Sequence, residues 1–419
     1  MQVARRAEEL NGALVEELKE NLARAGTPIS PPVEAAFRAT PRHHFVPGVS
    51  LEEAYANTSI LIKHVDGQPR SSSSQPSLMA HMLDQLDVVP GQKVLEIGTG
   101  SGYNAALLGQ LVDRGGRVVT IDIDEELVHA AADRLRAAGV PWVEAHAGDG
   151  GLGWPAGGPY ERIIVTAAAW DIPRAWRDQL VHGGRFVTPL MIRGGQACVA
   201  FERVENHLDS VTIGDCSFMS MRGAFGDPGR PLALGPRAGF YAVIPNPDGP
   251  RVSAGEIYGW LTDAPRELES GVSATPTELW ELEQWLAFRD EGYCFLWTHG
   301  DEAEHELLPP LPRPGASGPT AWARGIVSEH GLALVGPCPP RNHPSEGDQV
   351  YLGVWSYGTD VELGQRLLNH MERWTASRDC SPLPLEIRVY HSCDTELPPS
   401  WEIVRRPSSL LAIDWSPGA

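Results

Sequence analysis

The sequence predicts an α/β domain built on a parallel sheet, followed by a second domain of α+β type. Three observations predict it. From about residue 87, short β-branched apolar runs alternate with helical stretches. A glycine-rich loop follows the first of these runs and opens a helix. A Gly- and Pro-rich stretch, "GAFGDPGRPLALGPRAG" (223–239), then interrupts the pattern. The chain has 419 residues, 42% of them hydrophobic, which suits two or three domains with cores of their own. The boundaries expected are 1–229 and 240–419.

The elements follow in order. Leu10, Leu14, Leu18 and Leu22 recur every four residues, an amphipathic helix ended near Gly26 and Pro28, whose leucines are expected to cover a neighbouring domain. "KVLEIG" (93–98), "RVVTIDID" (117–124), "WVEAHAGD" (142–149), "RIIVTAAA" (162–169) and "RFVTPL" (185–190) read as strands. Between them "YNAALLGQLV" (103–112), "EELVHAAADRLRAAG" (125–139) and "PRAWRDQLVHGG" (173–184) read as helices. Such alternation implies right-handed crossovers between parallel strands. Residues 197–221 alternate at period two around Asn206-His207 and predict a closing antiparallel hairpin. Beyond residue 240, strands are expected at 293–298, 324–336, 350–358, 385–391 and 409–415, and helices at 276–288 and 361–377.

Composition excludes several functions. The net charge of −20 argues against nucleic-acid binding, which rests on Lys and Arg. The six cysteines form no CxxC pair, so neither a disulfide framework nor a metal site is expected, and Cys380 and Cys393 beside His391 do not change that. No segment is apolar for long enough to span a membrane, and the charged start is no signal peptide, so a cytoplasmic location without membrane attachment is the expectation.

The loop "VLEIGTGSGYNAALL" (94–108) can hold one of two cofactors. A dinucleotide needs G-x-G-x-x-G/A; counting from Gly98 this fails at Tyr103, but Gly100, Gly102 and Ala105 satisfy it. The loop alone therefore leaves NAD open, and Asp122 on the next strand suits the ribose of either ligand. Glu96, just before the loop, would repel a pyrophosphate but can hold the ammonium of an amino-acid moiety, directly or through water. Asp149 closes the third strand where an adenine amino group needs an acceptor. Together they describe an S-adenosylmethionine site, and hence a Rossmann-like class I methyltransferase fold with an N-terminal helical segment.

With these motifs in view, roughly residues 5–222 resemble the protein L-isoaspartyl O-methyltransferases. "RHHFVP" (42–47), "VLEIGTGSGYNAALL", "GDGGLGWP" (148–155), "YERIIVTAAAWDIP" (160–173) and "QLVHGGRFVTPL" (179–190) correspond in order and spacing. The resemblance implies methyl transfer from S-adenosylmethionine to a carboxylate in a peptide. It also gives the four-serine run "RSSSSQP" (70–76) a role other than a linker. The family's T-I-S-Q-P aligns with Ser72-Ser73-Ser74-Gln75-Pro76, which implies Ser74 as the catalytic hydroxyl, with Ser72 and Ser73 beside it. The implied cofactor set is Glu96, Gly98, Thr99, Gly100, Gly102, Asp122, Ile123, Gly148, Asp149, Gly150 and Thr166, with no metal.

Three departures mark the chain. Arg70-Ser71 replaces a glycine-glutamine pair, Trp170 replaces a proline, and the repair enzymes generally lack the residues after the hairpin. With "CSFMSMRG" (216–223), these are similar to a divergent branch found beside ribosomally made, modified peptides of the lanthipeptide, lasso-peptide and graspetide classes. That branch implies methylation of an ordinary aspartate in a constrained precursor peptide, the ester then collapsing to an aspartimide. Isoaspartyl repair, or a fold that binds a peptide without turnover, are the alternatives. His43 and His44 are expected to pack rather than act as bases, and Trp297, Trp355 and Trp374 to belong to the core.

Overall fold

The protein is described by a computed structural model covering residues 2–65, 68–226, 231–236, 239–246, 249–298, 306–311, 321–338, 349–377, 386–394 and 396–415. The proposed boundary at Gly229, and Cys380, lie outside these residues. The chain divides into two compact units, one of residues 1–190, 196–227 and 382–419, the other of 191–195 and 228–381.

The first unit is an α/β fold on a ten-stranded sheet. In chain order its strands are Lys93–Ile97, Arg117–Asp122, Val143–Ala147, Tyr160–Val165, Leu180–Ile192, Gly195–Arg203, Leu208–Asp215, Glu386–His391, Glu402–Arg405 and Ser409–Asp414. Lys93–Ile97 sits between Arg117–Asp122 and Tyr160–Val165, parallel to both. Val94, Leu95, Val118, Val119, Ile163 and Val165 are fully buried, as central strands covered on both faces require. Helices Tyr103–Val112 and Glu125–Ala137 make the crossovers. Leu14, Leu18 and Leu22 of the first helix (Gln2–Arg24) lie in one core cluster with Phe37, Phe45 and Tyr103, so they bury within this unit rather than cover a neighbouring domain.

Three local expectations change. The helix expected at 173–184 spans only Arg174–Gln179, and the strand begins at Leu180. Gly183 takes φ 69° and carries the chain straight into the sheet, where a helix would need negative φ. The closing hairpin ends at Asp215, and residues 216–222 leave the sheet. The serine run is itself a strand: Gln68–Ser73 pairs antiparallel with Ile60–Val65, with Ser73 opposite Ile60 and Ser72 opposite Leu61.

The second boundary also changes. Residues 386–415 return to the first unit instead of finishing a domain that starts at 240. Glu386–His391 pairs with Leu208–Asp215 through Val389↔Leu208 and Arg388↔Asp209, and Ser409–Asp414 pairs alongside it. Local alternation marks such strands but not their partners, which is why the sequence assigns them to the preceding domain.

The second unit is α+β. Its seven-stranded sheet runs Leu232–Ala233, Phe240–Val243, Tyr293–Thr298, Trp322–Ser328, Gly331–Pro337, Val350–Gly358 and Arg266–Ala274 across its width. Helices Pro276–Arg289 and Val361–Ser377 share a core with one set of strand residues, including Ile326, Val335 and Val354. Helix Ala254–Leu261 packs with the other set, including Cys294, Leu296 and Leu334. Trp374 is core as expected, whereas Trp297 and Trp355 are only partly buried.

Candidate active site

The first unit carries a pocket of about 550 Å³ at the carboxyl ends of its parallel strands. That is where open α/β sheets present their ligand crevice. Its walls include the serine run Arg70–Ser74, the loop Gly98–Ser101 with Asn104, the strand ends Asp122-Ile123 and Thr166-Ala167, Gly150, and the segment Ser217–Arg222.

The loop is shaped by glycine. Gly98, Gly100 and Gly102 have φ of 103°, 50° and 85°. A Cβ on Gly98 would stand 2.4 Å from Thr166 Oγ1, and one on Gly150 would stand 2.4 Å from Ile97 Cγ2. Both close approaches exclude any side chain. Thr166 donates its hydroxyl to Gly98 O at 2.8 Å, joining two walls. Asp122 is partly buried; its Oδ2 accepts from Gly100 N at 3.0 Å and its Oδ1 from Asp124 N at 3.0 Å. Gly148 donates its N–H to Asp122 O at 2.9 Å and so aligns the third strand end with the second. Ile123 is 44% exposed, an apolar surface presented at the pocket.

Glu96 differs from expectation. Rather than facing the cleft it is fully buried beneath it, with Oε1 accepting from Asn104 Nδ2 at 2.7 Å and Oε2 from Thr120 Oγ1 at 2.6 Å. Thr99 completes the chain, its hydroxyl 2.8 Å from that of Thr120. Burial pushes the Glu96 carboxyl up to about 7, against the lowering effect of these hydrogen bonds. Asn104 lines the pocket, so Glu96 reaches it through Asn104.

Asp149 also has occupied oxygens. Oδ1 accepts from Gly151 N at 2.9 Å and Oδ2 from Ala224 N at 3.0 Å. Each oxygen keeps a further lone pair. The second bond ties the turn after the third strand to the segment that follows Arg222. That segment is fixed a second time, by Ala168 N to Met219 O at 2.9 Å and Met221 N to Ala168 O at 2.8 Å. The resemblance marks this motif in the sequence, but its place as a wall of the pocket depends on pairing with Ala168, which no local pattern announces.

The serines are distributed unequally. Ser72 and Ser74 line the pocket and are partly buried. Ser73 lines it too but is 3% exposed, with its Oγ buried and unbonded. Ser71, not among the expected residues, approaches the loop: its Oγ is 3.6 Å from where a Cβ on Gly100 would be. The run is held by Arg42, whose fully buried guanidinium donates to the carbonyls of Ser74 (3.0 Å), Ser73 (3.4 Å), Thr58 (3.0 Å), Ala56 (2.9 Å) and Ala54 (3.3 Å). His43 bonds the hydroxyl of Tyr55 at 2.7 Å, and neither His43 nor His44 lines the pocket.

Comparison with known proteins matches this architecture to one family model, "Protein-L-isoaspartate(D-aspartate) O-methyltransferase (PCMT)", over residues 12–224. The chain belongs to this family. A protein-L-isoaspartate O-methyltransferase of Methanoculleus marisnigri is 39% identical over 194 residues, 46% of this chain and 84% of the relative. One of Methanopyrus kandleri is 38% identical over 213 residues, 50% of this chain and 92% of the relative. A solved protein-L-isoaspartate O-methyltransferase covers 90% of this chain and 97% of its own at 23% identity, with a TM-score of 0.49. The first unit is thus that of an S-adenosylmethionine-dependent carboxyl O-methyltransferase with a class I fold.

The residues present fit that methyl donor. Glycines 98 and 100 leave a side-chain-free cradle, Asp122 ends a strand beside it, and an exposed isoleucine offers an apolar face.

Proposed function

We propose that the enzyme methylates the side-chain carboxylate of an aspartate in a constrained, modified precursor peptide, working in the cytoplasm. The observation that carries this reading is the wall Ser217–Arg222, a segment that resembles the branch associated with modified peptides and lines the same pocket as the serine run. In this reading Asp122 meets the ribose hydroxyls, Ile123 the adenine, and Gly98, Thr99 and Gly100 the amino-acid moiety, with Thr166 and Gly150 shaping the cradle. Gly102, expected there too, does not line the pocket but caps the helix and packs against Ala131. Gly148 and Asp149 position the adenine end. The second unit selects the peptide.

The donor supplies an electrophilic methyl group on a sulfonium. An acceptor carboxylate is already ionised near neutral pH, so this chain needs no strong base. Its work is alignment. Ser74 donates a hydrogen bond to one carboxylate oxygen and leaves the other free to take the methyl group; Ser72 orients the same carboxylate. A neutral hydroxyl suits this task, since a cationic donor would draw charge from the nucleophile. The ester then loses methanol when the next backbone nitrogen attacks its carbonyl, closing a five-membered imide without further help from the enzyme.

Ser74→Ala should reduce methylation about tenfold to a hundredfold while leaving S-adenosylhomocysteine affinity unchanged. Mass spectrometry of the cognate peptide should show a gain of one CH2, then a net loss of one water. A fully active Ser74→Ala enzyme beside an inactive Ser72→Ala or Ser73→Ala enzyme would assign the role to a different hydroxyl. A second reading, isoaspartyl repair, is favoured by the 36–43% identity to curated isoaspartate methyltransferases. Efficient turnover of unrelated isoaspartyl peptides would decide for it.

Glu96 gives a pH test. Its carboxyl, pushed up to about 7, is largely protonated below that pH. Binding a cationic donor favours the ionised form, so affinity should rise as pH rises through 7, by up to about tenfold per pH unit below it. Calorimetry between about pH 5.5 and 7.5 should show this slope. Glu96→Gln, which cannot ionise, should bind more weakly and lose the slope; a slope unchanged in that variant would remove Glu96 from cofactor binding.

A further inference from the structure

Two arginines stand at the pocket without a use in the chemistry above. Arg70 and Arg222 line it and are exposed, and neither side chain makes an ion pair or hydrogen bond with another described residue. Arg222 is felt by Asp124 only as a charge at longer range, since the Asp124 carboxylate is taken by Lys63 at 2.7 Å. Both arginines sit on fixed backbone. Arg70 belongs to the paired strand Gln68–Ser73, and Arg222 follows Met221, whose N–H is held by Ala168 O.

Their charge is out of keeping with the rest of the molecule. The chain carries −20 overall, yet the charged side chains lining the pocket are one carboxylate, Asp122, and two cations, Arg70 and Arg222; Asp149 stands behind the wall, its Oδ2 held by Ala224 N. Asp122 is already engaged by the N–H groups of Gly100 and Asp124. One anion, the acceptor carboxylate, is required by the reaction. It belongs at the less exposed serines, because a guanidinium on its oxygens would weaken it as a nucleophile. The exposed arginines are then free for a different anion at the mouth.

We infer that Arg70 and Arg222 form a specificity site for a second carboxylate of the substrate, so that the preferred acceptor lies in an acidic stretch of peptide. This rests on the peptide-aspartate reading of the pocket. It makes chemical sense of the charge pattern: a protein of net charge −20 disfavours an acidic peptide overall, and two arginines whose side chains have no ion pair among the described residues offset that at the pocket. It also assigns the two residues to ground-state binding, with KM rather than kcat as the kinetic quantity they control.

The test uses the full-length protein with S-adenosylhomocysteine and two fluorescent peptides. The two have one central aspartate in the same sequence and differ only in flanking glutamates or glutamines. Anisotropy at low salt should show the glutamate peptide binding about fivefold to tenfold more tightly, and added salt should shrink the difference. In the Arg70→Gln/Arg222→Gln protein the ratio should fall to near one, with S-adenosylhomocysteine affinity unchanged. Equal binding of both peptides, no binding of either, or a ratio that survives the double substitution would overturn the inference. Loss of S-adenosylhomocysteine affinity in the variant would give the arginines to the cofactor instead, and also overturn it. The aspartate reading stands or falls separately, on whether an ordinary aspartate or an isoaspartate is methylated.

Discussion

Exchanging Arg42 for methionine is expected to destabilise the methyltransferase unit by about 3–5 kcal/mol and to abolish methyl transfer near its melting range. The magnitude follows from what the side chain holds. It is fully buried and its two terminal nitrogens reach five backbone carbonyls, two of which belong to Ser73 and Ser74. Methionine fills much of the volume but leaves those acceptors without donors. Each buried orphan costs about 1–3 kcal/mol, with partial relief where water can enter. Lysine should rescue little, because its ammonium has three donors at one point where the guanidinium spreads its donors over a plane. Thermal denaturation with S-adenosylhomocysteine present reads the effect; a melting temperature within about 2 °C of the parent would show that the carbonyls find other partners.

The second large effect is expected from a stop codon after Ser377. The protein so shortened should lose S-adenosylhomocysteine binding and much of its solubility, although every residue lining the pocket remains. The strands Glu386–His391, Glu402–Arg405 and Ser409–Asp414 are part of the methyltransferase sheet. Their loss leaves Leu208–Asp215 as an open edge, a template for aggregation. It also undoes the loop after Thr166. There Asp171, 1% exposed, accepts from Ser408 N and Ser409 Oγ, each at 2.7 Å. Arg406 donates to Trp170 O at 3.2 Å and lies 4.7 Å over the Trp170 ring. Without these partners a buried carboxylate is stranded three residues from the Ala168 that anchors the Ser217–Arg222 wall. Calorimetry and light scattering check the result; a soluble, cofactor-binding 1–377 protein would show that the returning strands are dispensable.

The parallel core was legible because its signals are local: β-branched runs, helical periodicity and a glycine loop between them. Gly98, Gly100, Asp122, Ile123, Gly150 and Thr166 accordingly meet at one pocket. What was not legible depended on partners distant in sequence. Ser71–Ser74 look like a linker to any local scale, and only pairing with Ile60–Val65 makes a strand of the first three. Arg42 reads as a surface charge until five carbonyls close around it. Glu96 was placed in the cleft because its position before the loop is right; Thr120, 24 residues on, turns it inward. Arg388 pairs with Asp209 across 179 residues, and nothing near either residue announces the other.

The return of the last strands also sets the order in which this protein is completed during synthesis. Residues 228–381 form a unit interposed within another, so the pocket residues emerge from the ribosome early while the sheet that carries them stays unfinished. At about 5–20 residues per second, the edge at Leu208–Asp215 waits roughly 10–40 seconds for its partner. During that interval the nascent enzyme exposes a strand edge and an unsealed Asp171 carboxylate. The carboxylate waits longest, because its partners Ser408 and Ser409 lie 237 and 238 residues further along the chain.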